Sequence, residues 1–155
     1  MHVVCELVQK YAPLAARILL AQLFIISGIG KIARFAATAA YMAGMGLPAA
    51  TPLLVLTIAL EVGGGVLLLV GWQTRWMAAA FCGFTFVASF IFHPFWNTEP
   101  AGMMSQLNNF MKNLAIMGGM LYVMAYGAGP FSVDRLRSAA KAVPGGAATA
   151  KKRKN

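Results

Sequence analysis

"LLVLTIALEVGGGVLLLVGW", residues 53–72, is a run of twenty residues in which Glu61 is the only charged side chain. A helix needs about 20 predominantly apolar residues to cross the roughly 30 Å hydrocarbon layer of a membrane. Glu61 lies near the middle of the run, where an unpaired charged side chain costs about 2.5–3.5 kcal/mol on insertion. The run therefore predicts a membrane-spanning helix whose carboxylate requires a partner on another helix.

The composition of the whole chain also indicates a membrane protein. Of its 155 residues, 59% are hydrophobic and only 11% are charged, whereas a soluble domain has about 25% charged residues. Thirteen Lys and Arg outnumber four Asp and Glu, so the net charge is +9. These basic residues flank apolar runs instead of forming one face. The pattern is typical of cationic membrane flanks and argues against nucleic-acid binding.

Four apolar segments predict four membrane-spanning helices, because lipid offers no partner for the unpaired backbone groups of any other structure. The predicted helices cover about residues 14–32, 52–72, 76–95 and 107–126. The fold class is therefore all-α, an integral membrane four-helix bundle spanning residues 14–135. An N-terminal segment, residues 1–13, precedes the bundle. A basic, partly disordered cytoplasmic tail, residues 136–155, follows it.

The distribution of basic residues predicts the orientation. With both termini on one side, that side holds ten of the 13 Lys and Arg, and the other side holds Lys31, Arg34 and Lys112. Because Lys and Arg are enriched in cytoplasmic loops, both termini are expected in the cytoplasm. The terminal KKRKN can also contact anionic lipid headgroups, although fixing the topology is the simpler interpretation.

The polar residues of the four helices fall at similar depths. Lys31 lies at the outer end of the first helix, Glu61 near the membrane midplane and His93 at the outer end of the third helix. Lys112 and Asn113 lie one to two turns into the fourth helix from its outer end. The outer half of the bundle is thus predicted to hold a shared polar site in which Lys31 or Lys112 faces Glu61. Nothing comparable is predicted in the inner half.

Each polar residue also has an alternative interpretation by itself. Lys31 and Lys112 are close enough to the interface for their ammonium groups to reach water. His93 can lie in the headgroup region beside an aromatic belt that includes Trp96. Glu61 can be protonated. Glu61 is too deep to reach water, however, and this depth favours the shared site over separate roles.

Two further patterns concern packing and metal binding. Small residues at 27–30, 63–65 and 118–119 adjoin the polar positions, and such residues let helices approach closely in lipid. Three methionines, at 117, 120 and 124, share a helical face, which is more typical of core packing than of a copper(I) site. The two histidines, His2 and His93, lie on opposite sides in the predicted topology. No metal site is predicted.

Several segments together resemble the DoxX family of small membrane proteins. They are RILLAQLFIISGIGKI (17–32), ALEVGGGVLLLVGWQTRWMAA (59–79), FIFHPFWN (90–97), NFMKNLAIMGGMLYV (109–123) and GPFSVDR (129–135). The resemblance covers about residues 14–135. It implies a four-helix, multi-pass protein of the bacterial inner membrane. Family members are commonly described as oxidoreductases, and the family name derives from a small subunit associated with quinol oxidase and thiosulfate:quinone oxidoreductase activity.

The resemblance also implies a set of site residues. The family's recurring polar positions correspond to Lys31, Glu61, His93, Trp96, Asn97, Asn109, Lys112 and Asn113. In a quinone-linked redox subunit, Glu61 and His93 would be the catalytic proton carriers, and the other residues would bind the substrate. The cofactor would be a non-covalent quinone, and a redox protein would supply electrons.

Two other functions use the same polar positions. The first is a binding or transport module for a small anionic solute or a lipid, for which a homo-oligomer is expected because four helices are few for a transporter. The second is a non-catalytic assembly partner of a membrane redox complex, in which the polar cluster holds helices together. The quinone-linked subunit is preferred mainly because of the family resemblance.

Overall fold

A computed structural model describes residues 1–142, and all regular secondary structure in that part of the chain is helical. The all-α prediction is therefore confirmed for these residues. The helices are α1 (His2–Ala33), α2 (Phe35–Gly44), α3 (Ala50–Ile58), α4 (Gly65–Val70), α5 (Thr74–Phe92), α6 (Pro100–Tyr126) and α7 (Val133–Ala142). A π-helical segment, Ala59–Gly64, joins α3 to α4, and a 3₁₀ turn, Phe95–Asn97, follows α5. Of the predicted partly disordered tail, residues 136–155, the described part, residues 136–142, is helical, and the rest lies outside the described residues.

Within residues 1–142, three helical spans are both long enough and apolar enough to cross a membrane. They are His2–Ala33, Ala50–Val70 and Thr74–Asn97. Helix α6 has 27 residues and is about 40 Å long, which exceeds the thickness of the hydrocarbon layer. Its first half carries polar residues at positions 105, 106, 108, 109, 112 and 113, which lower its hydropathy.

The helix bounds differ from the predicted ones mainly at the N-terminal ends. Helix α1 begins at His2 and continues through Pro13, whereas the apolar pattern predicted a start near residue 14. Residues 1–12 are all exposed in the single chain, so no buried face marks this extension in the sequence. Helix α6 begins at Pro100 instead of residue 107, because proline is well suited to the first turn of a helix.

The core lies where α1, α4, α5 and α6 meet. The rings of Phe24 on α1 and Phe81 on α5 are stacked with their centroids 3.9 Å apart. Leu68 and Met120 pack in the same cluster and are fully buried. The burial of Met120 agrees with the prediction that the methionines of α6 fill the core.

Glycines allow α1 and the π-helical segment to approach closely. A methyl carbon added to Gly28 of α1 would lie 2.6 Å from Val62 Cγ2 and 3.1 Å from Glu61 Cβ. One added to Gly65 would lie 2.7 Å from Ile25 Cγ1. The close packing predicted from the small residues is therefore found at these positions, and it fixes the backbone that carries Glu61.

We expect Gly28→Ala to lower the free energy of unfolding by about 1–3 kcal/mol, because the new methyl group overpacks the contact with Val62. The matched control is Gly30→Ala in the same helix, whose added methyl carbon would meet only Arg34 Nη2, at 3.7 Å. Alanine has the higher helix propensity, so the control variant should be as stable as the wild type or more stable. Unfolding of both variants in mixed micelles measures the difference. Equal stability of the two variants would show that α1 tolerates the extra methyl group.

Candidate functional site

Glu61 forms a buried ion pair with Lys31. Lys31 Nζ donates hydrogen bonds to Glu61 Oε1 and Oε2, at 2.9 and 2.8 Å. It also donates to the Ser27 hydroxyl at 2.7 Å, and that hydroxyl donates to Glu61 Oε1 at 3.2 Å. The Glu61 side chain is 4% exposed and that of Lys31 is 25% exposed. Of the two partners predicted for Glu61, the structure shows Lys31.

The local sequence explains how this pair is assembled. Ser27 and Lys31 are four residues apart on α1 and therefore lie on the same helical face. Glu61 comes from the π-helical segment, which is packed against Gly28 on that face. π-Helical turns occur frequently at functional sites. The two elements thus enclose the carboxylate between a hydroxyl and an ammonium group, which satisfies both carboxylate oxygens.

A cavity of about 430 Å³ lies beside the ion pair. We call it the Glu61 cavity. Residues from α1, α2, α3, the π-helical segment, α5 and α6 line it. Most of the lining surface is apolar, and its larger apolar and aromatic contributors include Phe24, Tyr41, Met42, Phe84, Phe92 and Ile116. Its volume is in the usual range for small-molecule sites, which are mostly apolar with a few placed polar groups.

Thr85 provides a polar group in the cavity that the sequence analysis missed. The residue is 4% exposed, lines the cavity, and its hydroxyl has no hydrogen-bond partner among the described residues. A buried hydroxyl without a partner costs about 1–3 kcal/mol. A signal was present in the sequence, since Thr85, Ser89 and His93 recur every four residues along one face of α5. The hydroxyl oxygen is itself covered by its neighbours, so the Thr85 side chain must turn for this group to reach a ligand in the cavity.

His93, Lys112 and Asn113 also line the Glu61 cavity. The His93 ring nitrogen Nδ1 is 2.8 Å from Gln106 Oε1. Because an amide oxygen can only accept, Nδ1 donates in this hydrogen bond, and Nε2 is the other nitrogen that can exchange a proton. Lys112 Nζ donates to Asn109 Oδ1 at 2.9 Å. Asn109 therefore belongs to the site through Lys112 and does not line the cavity.

Trp96 and Asn97 are exposed and do not line the cavity. The Trp96 ring instead packs in an aromatic cluster, with its centroid 5.8 Å from that of Phe90 and 5.9 Å from that of Phe110. The structure thus brings together Lys31, Glu61, His93, Lys112 and Asn113, the residues that the depth argument selected. Among residues 1–142, no group of three or more His, Cys, Asp or Glu side chains is placed to hold a metal ion.

A second polar cluster lies at the opposite end of α5, so the prediction that only one half of the bundle holds such a cluster is wrong. Arg17 of α1 is only 1% exposed. Its Nη1 donates to the Leu69 carbonyl at 2.9 Å, and its Nη2 donates to the Phe131 carbonyl. Gly71 has a φ of 75° and ends α4. The absence of a side chain at Gly71 leaves room for the guanidinium group.

Asp134 of α7 caps the N-terminus of α5. Its carboxylate accepts hydrogen bonds from the Gln73 and Thr74 backbone N–H groups, at 2.8 and 2.9 Å, and from the Thr74 hydroxyl at 2.8 Å. Burial opposes ionisation, but these hydrogen bonds and the charge of Arg137 outweigh it, so the pKa of Asp134 is below its ordinary value. Asp134 also lies in the first turn of α7. That helix is capped by Ser132, whose Oγ accepts from the Arg135 N–H at 3.2 Å.

Comparison with known proteins assigns the chain to a family. The family model DoxX matches residues 12–94. The chain belongs to the DoxX family. The chain is 45% identical to the inner membrane protein YqjF of Escherichia coli (strain K12) over 123 aligned residues. The aligned region is 79% of this chain and 89% of YqjF. The chain is also 33% identical to the inner membrane protein YphA of the same organism over 122 aligned residues. That region is 79% of this chain and 87% of YphA. No solved structure matches the chain.

Membership of the DoxX family confirms the resemblance seen in the sequence. Both relatives carry the name "inner membrane protein", and three described helical spans are suited to crossing a membrane. This DoxX protein is therefore a multi-pass protein of the bacterial inner membrane. The family match runs from residue 12, within α1, to just beyond the end of α5, and it includes Lys31, Glu61 and His93.

Proposed function

We propose that this DoxX protein is the membrane subunit of a redox system and binds a quinone in the Glu61 cavity. The observation that carries the proposal is a mostly apolar cavity of about 430 Å³ whose wall holds a buried Lys–Glu pair. A quinone ring is flat and apolar and has two carbonyl oxygens. It therefore needs an apolar slot with a few hydrogen-bond donors, which is the composition of this cavity.

The polar residues divide into donors and proton carriers. Lys112, Asn113 and Thr85 line the cavity and can donate hydrogen bonds to carbonyl oxygens, Thr85 after a turn of its side chain exposes the hydroxyl. Reduction of a quinone to a quinol takes up two electrons and two protons. In this proposal a redox protein that associates with the chain supplies the electrons, and His93 and Glu61 relay the protons, each taking one up from water before passing it to a quinone oxygen.

The proposed architecture is a four-helix bundle in which α6 is the fourth membrane-spanning helix and both termini are cytoplasmic. Helix α6 supports this arrangement by its length of 27 residues and by packing along α5. The excess of basic residues at the end that carries α7 supports the orientation. The Glu61 cavity then lies in the outer half of the bundle and α7 on the cytoplasmic side.

Quinone binding can be tested with Thr85→Val and Glu61→Gln. We expect Thr85→Val to weaken binding of a short-chain ubiquinone analogue about tenfold, through loss of one hydrogen bond. Stability should be unchanged or higher, because the substitution removes a buried hydroxyl without a partner. Glu61→Gln should lower retention of the quinone that purifies with the wild type about tenfold, because the Lys31 ammonium group, no longer held by the carboxylate, turns from the cavity toward water. Binding is measured by titration of the protein in nanodiscs, and retained quinone by organic extraction and mass spectrometry.

The matched control is Thr51→Val, since Thr51 is exposed at the start of α3 and does not line the cavity. This variant should bind the analogue as the wild type does. If Thr85→Val and Glu61→Gln both bind it with wild-type affinity, the cavity is not a quinone site. A loss of affinity in all three variants would indicate general destabilisation.

Binding of a small anion is the second candidate function. The observation in its favour is that two ammonium groups, those of Lys31 and Lys112, line the Glu61 cavity with one carboxylate, that of Glu61. The local excess of positive charge attracts an anionic solute or lipid headgroup without any electron transfer. Extraction of an anionic molecule instead of a quinone, with loss of that molecule in Lys112→Met, would favour this function.

A further inference from the structure

A second cavity, of about 450 Å³, lies at the end of the molecule where α5 begins. We call it the α7 cavity. Its walls come from the first residues of α5, the turn that follows α6, and one face of α7. It lies at the opposite end of α5 from His93, and the two cavities share no lining residue.

The α7 cavity is strongly cationic. Arg75, Arg137 and Lys141 line it, together with a single acidic residue, Asp134. Both Asp134 oxygens already accept hydrogen bonds from Gln73 and Thr74. Within residues 1–142 the only ion pair is that of Lys31 with Glu61. None of the three cationic groups of the cavity therefore forms an ion pair in this part of the chain, although the charge of Arg137 acts on Asp134 from a greater distance.

The surface around the α7 cavity has the character of a membrane–water boundary. Trp76 lines the cavity and is 73% exposed, and Leu136, on another face of α7, is 70% exposed. Tyr126, at the end of α6, is 72% exposed. Trp and Tyr are enriched at the level of lipid headgroups. The cavity thus places a phosphate-binding set of cations beside apolar groups that suit the glycerol and acyl parts of a lipid.

We propose that the α7 cavity binds the phosphate of an anionic phospholipid. The guanidinium groups of Arg75 and Arg137 can hold phosphate oxygens with paired hydrogen bonds, and Lys141 adds a third positive charge. The Trp76 ring contacts the lipid at the junction of headgroup and acyl chain. This site is independent of the Glu61 cavity and of the redox function proposed for it.

The test is retention of phosphatidylglycerol by the full-length protein. Protein from nanodiscs with equal amounts of phosphatidylglycerol and phosphatidylcholine is released gently, and bound lipid is counted by native mass spectrometry. We expect the wild type to retain phosphatidylglycerol in preference. Retention should fall about fivefold in Arg137→Gln and about thirtyfold in Arg75→Gln/Arg137→Gln, because the two cations contribute about equally to the free energy of lipid binding.

The matched control is Arg135→Gln, which removes the same charge from α7 at an exposed position that does not line the cavity. It should retain phosphatidylglycerol as the wild type does. Equal retention of the two lipids by the wild type, or equal loss in Arg135→Gln and Arg137→Gln, would overturn the site. Displacement of the lipid by an equal concentration of inorganic phosphate would overturn the assignment to a lipid, because a soluble anion would then satisfy the same cations.

Discussion

Replacing Arg17 with methionine is expected to lower the free energy of unfolding by about 2–3 kcal/mol. Its guanidinium group donates to the Leu69 and Phe131 carbonyls. It thereby joins α1 to the end of α4 and to the segment that precedes α7. Methionine fills similar space, so the loss comes from hydrogen bonding instead of a cavity.

Opposing contributions determine the size of this effect. Hydrogen bonds from a charged donor contribute about 1.5–3 kcal/mol each, so the two that Arg17 makes give about 3–6 kcal/mol. The substitution also removes the cost of burying Arg17 Nε, which has no partner among the described residues. Removing this unpartnered group raises the free energy of unfolding by about 1–3 kcal/mol. The hydrogen bonds outweigh it, because both carbonyls lose their donor.

The measurement is unfolding of the purified protein in mixed micelles with a rising fraction of dodecyl sulfate. The control is Arg34→Met, which removes an exposed guanidinium group from the end of α1 and should leave stability unchanged within about 0.5 kcal/mol. A second measurement is limited proteolysis at the turn that joins α6 to α7. Cleavage there should be faster in Arg17→Met, because Phe131 has lost its contact. Similar unfolding of the two variants would mean that Arg17 does not hold this turn.

The sequence was sufficient to predict three helical spans that can cross a membrane and to narrow the partner of Glu61 to Lys31 or Lys112, because an apolar run and the depth of a charge within it are both read from the sequence. A charged residue near the middle of an apolar run must find a partner, and Lys31 lies within reach of Glu61 from the neighbouring helix. The π-helical segment was not predictable in the same way. Its two glycines and Gly65 indicate close packing, but the helix that the segment packs against, at Gly28, is distant in sequence.

The burial of Arg17 could not be predicted from its depth in the membrane alone. It lies near the start of the predicted first helix, where a long cationic side chain usually reaches water. Its burial depends on carbonyl groups of residues 69 and 131, which are distant in sequence and become neighbours only in the folded chain. Thr85 was missed for another reason. A threonine in an apolar helix usually bonds to a carbonyl of the preceding turn, so the residue type alone does not indicate a ligand site.

Replacing Lys31 with methionine is expected to lower the free energy of unfolding by about 3 kcal/mol, because it leaves the Glu61 carboxylate buried without its cation. Only the Ser27 hydroxyl would still donate to the carboxylate. Glu61→Gln should cost less, about 1–2 kcal/mol, because the amide still accepts hydrogen bonds. The remaining lysine, 25% exposed, can turn toward water. Lys31→Met is therefore expected to lower the free energy of unfolding more than Glu61→Gln does.

A double-mutant cycle measures the interaction energy between Lys31 and Glu61 apart from the contacts that each makes with other residues. Lys31→Met/Glu61→Gln removes both charges, and its loss of stability should be smaller than the sum of the single losses by about 2 kcal/mol. The control cycle combines Lys112→Met with Glu61→Gln. It should be additive within about 0.5 kcal/mol, since the Lys112 ammonium group bonds to Asn109 and not to Glu61.

The size of the coupling decides how the ion pair relates to the proposed ligand. If the Lys31–Glu61 cycle is additive, the two charges do not stabilise each other and the geometry of the site is wrong. If coupling is present and is lost when a quinone analogue is bound, the ligand competes with Lys31 for the carboxylate. If coupling persists with the analogue bound, the pair is part of the cavity wall, and Lys112, Asn113 and Thr85 are left as the donors to the ligand. Measuring the cycle with and without the analogue therefore tests the ion pair and its role in binding together.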